Sequence, residues 1–228
     1  MLIVSGITVE VCRKNVKNML LYVKPPDGKV LVTAPLSFPY DQIERFVRSK
    51  ADWITANVEK YKIQQLESKQ KYISGESFFV WGEKYNLQIK YGSKNSIVLS
   101  GEKAVFTIKK GLTTEKREKF VREWYRKLLI AEVEETLPKW EKKTGLKADI
   151  WQTKYMKTRW GSCRPKLKKI CLNVQLAKYF PQGLEYIILH ELIHFKERGH
   201  NARFKSQLDR YMPDWKEVKK MLNKQGLD

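Results

Sequence analysis

Cysteine, histidine and long apolar runs are scarce in this sequence, and these shortages exclude several classes of protein. Only three of its 228 residues are cysteine and three are histidine. Cys12, Cys163 and Cys171 are odd in number and lack Cys-x-x-Cys spacing, which favours free thiols in a reducing compartment. No apolar run approaches a membrane span, and the apolar start at 1–4 is far shorter than a signal peptide. We therefore expect a cytoplasmic protein.

Acidic residues are few relative to basic ones. Lysine and arginine number 45 against 25 aspartates and glutamates, a net charge of +20. Such a charge attracts nucleic acid, nucleotides, acidic membrane surfaces or acidic proteins. A lysine-rich surface that only keeps the protein soluble explains the composition equally well. The apolar content of 42% indicates a folded chain, and its length suits one large domain or two small ones.

All three histidines lie in one short stretch, 190–200. His190 and His194 are four residues apart, so on a helix they share one face, with Cβ atoms roughly 5–6 Å apart. That separation lets two imidazoles bind one zinc ion, with Zn–N bonds of about 2.0–2.1 Å. Glu191 completes an H-E-x-x-H motif, in which the glutamate is the candidate general base.

His200 adds a geometric requirement. On an unbroken helix it would lie about 15 Å beyond His190, so we expect the chain to turn back before it. Gly199 best tolerates the positive φ of such a helix end. The spacing then provides three protein ligands and one open position, as in catalytic zinc sites. It matches the metzincin spacing, but Glu197 replaces the glycine of that pattern, so we do not assign the chain to the metzincins.

The same stretch has a second interpretation, an amphipathic core helix whose histidines are incidental. An apolar stripe gives the helix a packing role in either case: Leu184, Ile188, Leu192 and Phe195. The third histidine at a workable spacing favours the metal site. Three imidazoles suit zinc, and they would also accept nickel, cobalt or manganese.

We predict that residues 1–112 form a mixed, β-rich region with one helix and that residues 113–228 form a second domain. Alternating or β-branched runs predict strands at 6–12, 19–24, 29–33, 85–91, 96–100 and 104–108. Pro25-Pro26-Asp27-Gly28 predicts a turn, helical periodicity covers 40–61, and 64–71 is a linker or helix end.

The second domain is predicted to begin with a long helix capped by Thr113 or Thr114. Its aromatic row, which includes Phe120 and Trp124, is expected to be core rather than a ligand platform. Pro138 should kink or end this helix, and Gly145 closes the region. Later, Asn201 can cap a helix that Pro213 stops, and 214–217 has capping-box spacing for a last helix.

Residues 150–184 contain no acidic side chain. We predict a strand at 155–160, a turn region at 161–169, a returning strand at 170–176, and Pro181 in the first turn of the metal helix. The basic residues of this stretch are Lys154, Lys157, Arg159, Arg164, Lys166, Lys168, Lys169 and Lys178. They form either an ordinary exposed hairpin or a rim that receives an anionic substrate, because sequential elements are usually neighbours. The candidate substrate contacts are Arg159, Trp160, Arg164, Lys166, Lys168 and Lys169.

Several motifs together resemble the YgjP-like metallopeptidase family of metal-dependent hydrolases. They are Trp160-Gly161-Ser162-Cys163, Leu172-Asn173 with Leu176, His190-Glu191-Leu192-Ile193-His194 with His200, and Phe204, Pro213 and Trp215. The resemblance covers most of 150–215 and extends loosely to the N-terminal half, at the Ala34-Pro35 step and the Trp53-Ile54 helix.

The resemblance implies an α+β fold, in which the mixed β region precedes a zincin-like core with a small sheet packed on the metal helix, SprT-like in outline. It implies that His190, His194 and His200 are the ligands and Glu191 the catalytic base. The 160–163 segment would line the sheet edge near the metal. Cys163 is expected to be structural, because no further histidine is available to activate it.

Three functions remain open on this basis. The first is a zinc metallopeptidase, in which a zinc-bound water deprotonated by Glu191 attacks a peptide carbonyl, with an edge strand near Trp160 pairing with the peptide. The second is a nucleoside triphosphate pyrophosphohydrolase, acting on UTP or a similar nucleotide, with the same metal and base. The family resemblance suggests it and the basic hairpin fits it, although no P-loop is present. The third is a nucleic-acid-associated protein with a basic binding surface, although no recognised motif supports it.

Overall fold

The computed structural model describes residues 1–24, 28–67 and 70–224, which belong to two compact units, Met1–Gln70 and Lys71–Asp228. The predicted turn at Pro25-Pro26-Asp27 lies outside the described residues, as do residues 68–69 of the predicted linker. The predicted domain boundary after residue 112 lies within the second unit, because the strands between 77 and 108 belong to that unit.

The first unit is a four-stranded sheet with two helices. Its elements are β1 (Leu2–Val4), β2 (Ile7–Lys14), β3 (Leu20–Lys24), β4 (Lys29–Pro35), α1 (Tyr40–Arg48) and α2 (Ala51–Glu67). The strand order is β1-β2-β4-β3, with β2 parallel to β4 and the other pairs antiparallel. Val9 and Val32 of the sheet and Ile43 and Ile54 of the helices are fully buried in one core.

Two sequence predictions differ from the structure of this unit. The single helix predicted over 40–61 is two helices, the first ending at Arg48 and the second beginning at Ala51. The strand β1 was not predicted, because three residues are too short to display a period of two.

The second unit begins with another four-stranded sheet, against which the long helix packs. The elements are β5 (Ser77–Val80), β6 (Glu83–Tyr91), β7 (Ser96–Ser100), β8 (Lys103–Ile108) and α3 (Thr114–Thr144), and the strand order is β5-β6-β8-β7. The ring of Phe78 stacks on Tyr125 with centroids 5.3 Å apart, and Phe106 stacks on Phe120 at 5.5 Å. Phe120 and Trp124 of the aromatic row are partly buried and pack against the core, so the row has a packing role, as predicted.

The helix α3 does not end at Pro138. It continues to Thr144, because buried side chains on both sides of the proline, among them Leu137 and Trp140, keep this part of the helix in the core. Gly145 then ends the helix in the left-handed conformation, with φ of 68°, as the sequence indicates.

A three-stranded sheet follows, formed by β9 (Ile150–Lys154), β10 (Gly161–Arg164) and β11 (Lys169–Asn173) in the order β10-β11-β9. β10 is antiparallel and β9 parallel to β11. The strand predicted at 155–160 is wrong. The side chain of Asn173 accepts a hydrogen bond from the backbone N–H of Met156 and donates to the carbonyls of Met156 and Arg159, so this segment is a loop held by a buried amide. The predicted turn region at 161–169 instead begins with β10.

Three helices complete the unit: α4 (Pro181–Ile193), α5 (Ala202–Tyr211) and α6 (Trp215–Lys224). Pro181 occupies the first turn of α4, as predicted, and α4 is buried on most sides rather than along one stripe. Gly161 of β10 lies directly against α4, so the small sheet packs on the helix of the H-E-x-x-H motif. The α+β class with a zincin-like core is confirmed. No helix in the described ranges has the length and apolar character needed to cross a membrane.

Candidate metal centre

The side chains of the three histidines converge at one end of α4. The Nε2 atom of His190 lies 3.2 Å from Nε2 of His194 and 3.0 Å from Nε2 of His200. Nitrogen atoms that share a tetrahedral zinc ion at about 2.0–2.1 Å are separated by roughly 3.3 Å. The three imidazoles therefore fit one divalent metal ion, and one atom from each lies within 4.8 Å of the others.

The chain reverses between His194 and His200, as predicted, but the predicted role of Gly199 is wrong. Gly199 does not have a positive φ, and neither does any other residue from 194 to 200. The helix instead ends at Ile193 with His194 as its C-cap, and the N–H groups of Phe195 and Lys196 bond to carbonyls three residues back and tighten the last turn. Because α4 ends six residues before Gly199, no left-handed residue is needed there.

The reversal also orients the ring of His194. Nδ1 of His194 lies 2.8 Å from the carbonyl oxygen of Glu197, so its N–H donates to that oxygen and Nε2 keeps its lone pair for a metal. The side chain of Glu197 accepts a hydrogen bond from Nδ2 of Asn201 at 3.0 Å. Asn201 in turn caps α5 through the N–H of Phe204, as predicted. Glu197 thus links the His194 ring to the start of the next helix.

Phe204 supports all three histidines. Its ring centroid lies 4.9 Å from that of His190, 4.8 Å from His194 and 4.8 Å from His200, and the side chain is fully buried. The sequence indicated only a core residue here. Phe204 follows His200 by four residues, and this spacing was the signal available in the sequence, since residues four apart meet when the segment is helical.

The protonation of these histidines suits a metal. Burial, together with the neighbouring imidazoles of His194 and His200, lowers the pKa of His190 to about 3. Burial also lowers the pKa of His200, although less of that ring is enclosed. Metals bind neutral imidazole, so His190 and His200 require no deprotonation near neutral pH.

Glu191 lies beside the triad and is 5% exposed. Burial raises the pKa of its carboxyl group to about 8, and the charge of Arg159 opposes that rise. A β-carbon added to Gly161 would lie 2.5 Å from Oε1 of Glu191, so the strand β10 closes over this carboxylate. A carboxyl group with a pKa near the working pH can both accept and return a proton.

Cys163 lies in the same region and does not have the character of a nucleophile. Burial raises the pKa of its thiol to about 12, and the charge of Glu191 adds to that effect. A protonated thiol is a poor nucleophile.

An open cleft of about 590 Å³ lies over the histidines and Glu191. Its remaining lining residues are Arg159, Gly161, Ser162, Cys163, Pro165, Lys166 and Arg198. Two of the predicted substrate contacts, Arg159 and Lys166, therefore line the cleft. Trp160 lies in an adjoining cavity, and Arg164, Lys168 and Lys169 line neither. Arg198 was not predicted, although its place between two ligands was a signal.

Three imidazoles and a buried carboxyl group at one cleft are the groups from which a metal-dependent hydrolase builds its site. Residues 17–225 match the YgjP-like family, metallopeptidase domain, and the chain belongs to that family. The family resemblance is thus confirmed and covers more of the chain than the motifs at 150–215 did.

Two solved structures are similar in part. The metallopeptidase zymogen abylysin of Pyrococcus abyssi has 19% sequence identity and a TM-score of 0.39, over 42% of this chain and 99% of that chain. The metallopeptidase zymogen jannalysin of Methanocaldococcus jannaschii has 26% identity and a TM-score of 0.36, over 41% of this chain and 95% of that chain. No curated protein matches the sequence.

Proposed function

We propose that this protein is a metallopeptidase in which His190, His194 and His200 hold a divalent metal, zinc by preference, and Glu191 is the general base. One observation carries the proposal: the three imidazoles and the Glu191 carboxylate line the same open cleft. The family to which the chain belongs supports the peptidase activity.

Each group has a distinct chemical task. When bound, the metal acts as a Lewis acid that acidifies water and polarises a carbonyl group. Glu191 takes a proton from the attacking water at its carboxylate as the oxygen–carbon bond forms. It then gives that proton to the departing amide nitrogen as the carbon–nitrogen bond breaks, so peptide and water become a carboxylic acid and an amine. The raised pKa of Glu191 suits both transfers.

The strand β10 offers a place for an extended substrate. It is an edge strand of its sheet, and its residues Gly161, Ser162 and Cys163 line the cleft. Edge strands present backbone N–H and C=O groups that an extended peptide can pair with. A peptide added beside β10 would pass over the histidines and Glu191.

The variant Glu191→Gln tests the proposal. Metal-loaded wild-type protein should cleave an unfolded protein substrate, and Glu191→Gln should retain one metal ion while losing about 10²- to 10⁴-fold in rate. Glu185→Gln is the matched control, because Glu185 is on the same helix but does not line the cleft. Full proteolysis by Glu191→Gln would contradict the assignment of the base. Loss of metal from that variant would contradict the assignment of three histidine ligands.

Metal identity is tested by exchange. The protein is stripped with a chelator and reloaded separately with zinc, nickel, cobalt or manganese. We expect one metal ion per chain. We also expect zinc to bind more tightly than the other metal ions that are abundant in the cell. Substitution of any one of the three histidines by alanine should weaken that binding by at least tenfold.

Nucleotide hydrolysis is a second candidate, and the comparison of the wild-type protein with Glu191→Gln tests it as well. Arg159, Lys166 and Arg198 line the cleft and could neutralise a phosphate chain. Lys168 and Lys169, which were predicted to share this task, do not line it, so we favour the peptidase. If the protein releases pyrophosphate from nucleoside triphosphates, loses that activity in Glu191→Gln and shows no proteolysis, the peptidase assignment would be replaced by nucleotide hydrolysis. The nucleic-acid-binding alternative rests on net charge and stays a prediction.

A further inference from the structure

A second cavity, of about 380 Å³, adjoins the cleft. The two share four lining residues, Arg159, Gly161, His190 and Glu191, so they meet at the groups that we assign to catalysis. The second cavity is completed by residues from the loop before β10 and from α4 and α6: Thr158, Trp160, Tyr186, Ile187, Lys219, Leu222 and Asn223. A substrate that reaches Glu191 from the cleft thus has a further space directly beside it.

The lining of this second cavity carries two cationic side chains. Arg159 comes from the loop and Lys219 from α6, far apart in the sequence. The acidic lining residue is Glu191, a single carboxyl group against two cations. The second cavity therefore has a positive potential that attracts an anionic group.

Among the described residues, neither cation forms a salt bridge with an acidic side chain. Exposed arginines elsewhere do: Arg45 pairs with Asp41, and Arg48 with Glu44.

The loop that carries Arg159 is held in place. The buried side chain of Asn173 donates to the carbonyl oxygens of Arg159 and Met156 at 2.8 Å each. The edge of Trp160 in turn packs on Tyr179, with ring centroids 4.9 Å apart. The backbone at Arg159 and the ring of Trp160 are therefore held in place before any ligand arrives, which reduces the entropy lost on binding.

We propose that the second cavity is a substrate subsite that takes the acidic side chain of an Asp or Glu residue next to the scissile bond of a polypeptide. This inference rests on the proposed peptidase function. Arg159 and Lys219 neutralise the carboxylate. A peptide side chain is favoured over a free anion because the cavity opens beside Gly161, where the edge strand begins. Side chains of an extended peptide alternate in direction, so one of them can enter it.

Binding tests the subsite independently of catalysis. Metal-loaded Glu191→Gln protein is titrated into fluorescently labelled peptides that differ at one position, Glu or Gln, and Kd is measured by anisotropy. We expect the Glu peptide to bind about tenfold more tightly at low salt, with the difference shrinking as salt rises. Equal affinities for the two peptides would overturn the proposal.

Matched variants on α6 locate the effect. Lys219→Glu, made in the Glu191→Gln background, should abolish the preference for the Glu peptide, and Lys219→Arg should keep it. Lys220→Glu changes the net charge equally at the adjacent exposed position, which does not line the second cavity, so it should retain the preference. Equal loss in Lys219→Glu and Lys220→Glu would mean that general charge, and not this subsite, attracts the peptide.

Cleavage by the wild-type protein separates the two proposals. If the kcat/KM for a series of peptides is highest where the scissile bond lies next to Asp or Glu, the result supports both the peptidase function and the subsite. Cleavage with no preference for acidic residues refutes the subsite and leaves the peptidase standing. Absence of peptide cleavage together with hydrolysis of nucleoside triphosphates that depends on Lys219 would refute both, and would assign the cations to phosphate.

Discussion

Gly161 and Glu191 are in contact across the interface between β10 and α4. A β-carbon on Gly161 would lie 2.5 Å from Oε1 of Glu191 and 2.9 Å from Cγ2 of Ile187. No real β-carbon tolerates such distances, so only glycine lets the strand approach the carboxylate this closely. The glycine of the Trp-Gly-Ser-Cys motif is thus explained by the position of the proposed base one element away.

Gly161→Ala should therefore impair catalysis more than metal binding. The added methyl group pushes the Glu191 carboxylate away from its place, while the three histidines keep theirs. We expect one metal ion per chain and a rate of proteolysis reduced by roughly 10²-fold, as for other displaced catalytic groups. Metal analysis and a proteolysis assay measure the two effects.

Gly199→Ala is the control for this variant. Gly199 lies between two ligands, but it has no positive φ and a β-carbon there meets no atom within 4 Å. The proteolytic activity of Gly199→Ala should stay near that of the wild type. Equal losses in Gly161→Ala and Gly199→Ala would contradict the steric explanation.

Phe204→Ala should weaken metal binding without removing a ligand. The ring contacts all three imidazoles, and its loss leaves them free to adopt other orientations. Supporting residues around metal sites typically contribute 10- to 100-fold in affinity, and we expect a loss of about that size. Competition with a chelating dye measures it. Leu208→Ala, at another buried position of α5, should lower the free energy of unfolding and leave metal affinity unchanged.

Asn173→Asp should loosen the loop before β10. The substitution keeps an acceptor for the N–H groups of Met156 and Gln175 but removes the donors to the carbonyl oxygens of Met156 and Arg159. We expect the free energy of unfolding to fall by at least about 2 kcal/mol, because buried polar groups lose their partners. The KM for acidic peptides should rise as Arg159 becomes mobile. Chemical denaturation and steady-state kinetics test both, and an unchanged KM would separate the loop from substrate binding.

The metal-free protein should lose stability as pH rises through the titration of Glu191. Its pKa is raised by burial from 4.5 to about 8, so the folded state holds this proton over a range where the unfolded chain has released it. The stabilisation is complete below about pH 4.5 and is lost by about pH 8, with a slope of at most about 1.4 kcal/mol per pH unit.

Glu191→Gln cannot titrate, so subtracting its unfolding free energy isolates this term. The difference between wild type and variant, measured in chelator by urea unfolding from pH 5 to 9, should decline and then level off. A difference independent of pH would show that Glu191 is not buried in the metal-free protein.

Local geometry made part of the site predictable. His190, Glu191 and His194 lie within five consecutive residues, and the fixed rise and rotation of a helix place them together whatever surrounds it. The caps at Asn201 and Gly145 were predictable for the same reason, because each depends on hydrogen bonds to residues a few positions away.

The errors occurred where distant residues decide local structure. Residues 155–160 alternate as a strand does, but the side chain of Asn173 takes their backbone hydrogen bonds. Pro138 is a helix breaker in isolation, yet buried neighbours keep α3 continuous to Thr144. In both places tertiary contacts outweigh the local preference.

The sequence by itself determined the candidate site: three histidines, Glu191 directly after the first of them, and a spacing that requires the chain to return. Tertiary structure decided what surrounds that chemistry. Gly161, Phe204 and Lys219 come from three separate elements, β10, α5 and α6, and meet the motif through packing. The physical reason is the distance along the chain over which each interaction acts. Helical periodicity acts over a few residues, whereas the cleft and its neighbouring cavity form only when elements distant in the chain are buried against each other.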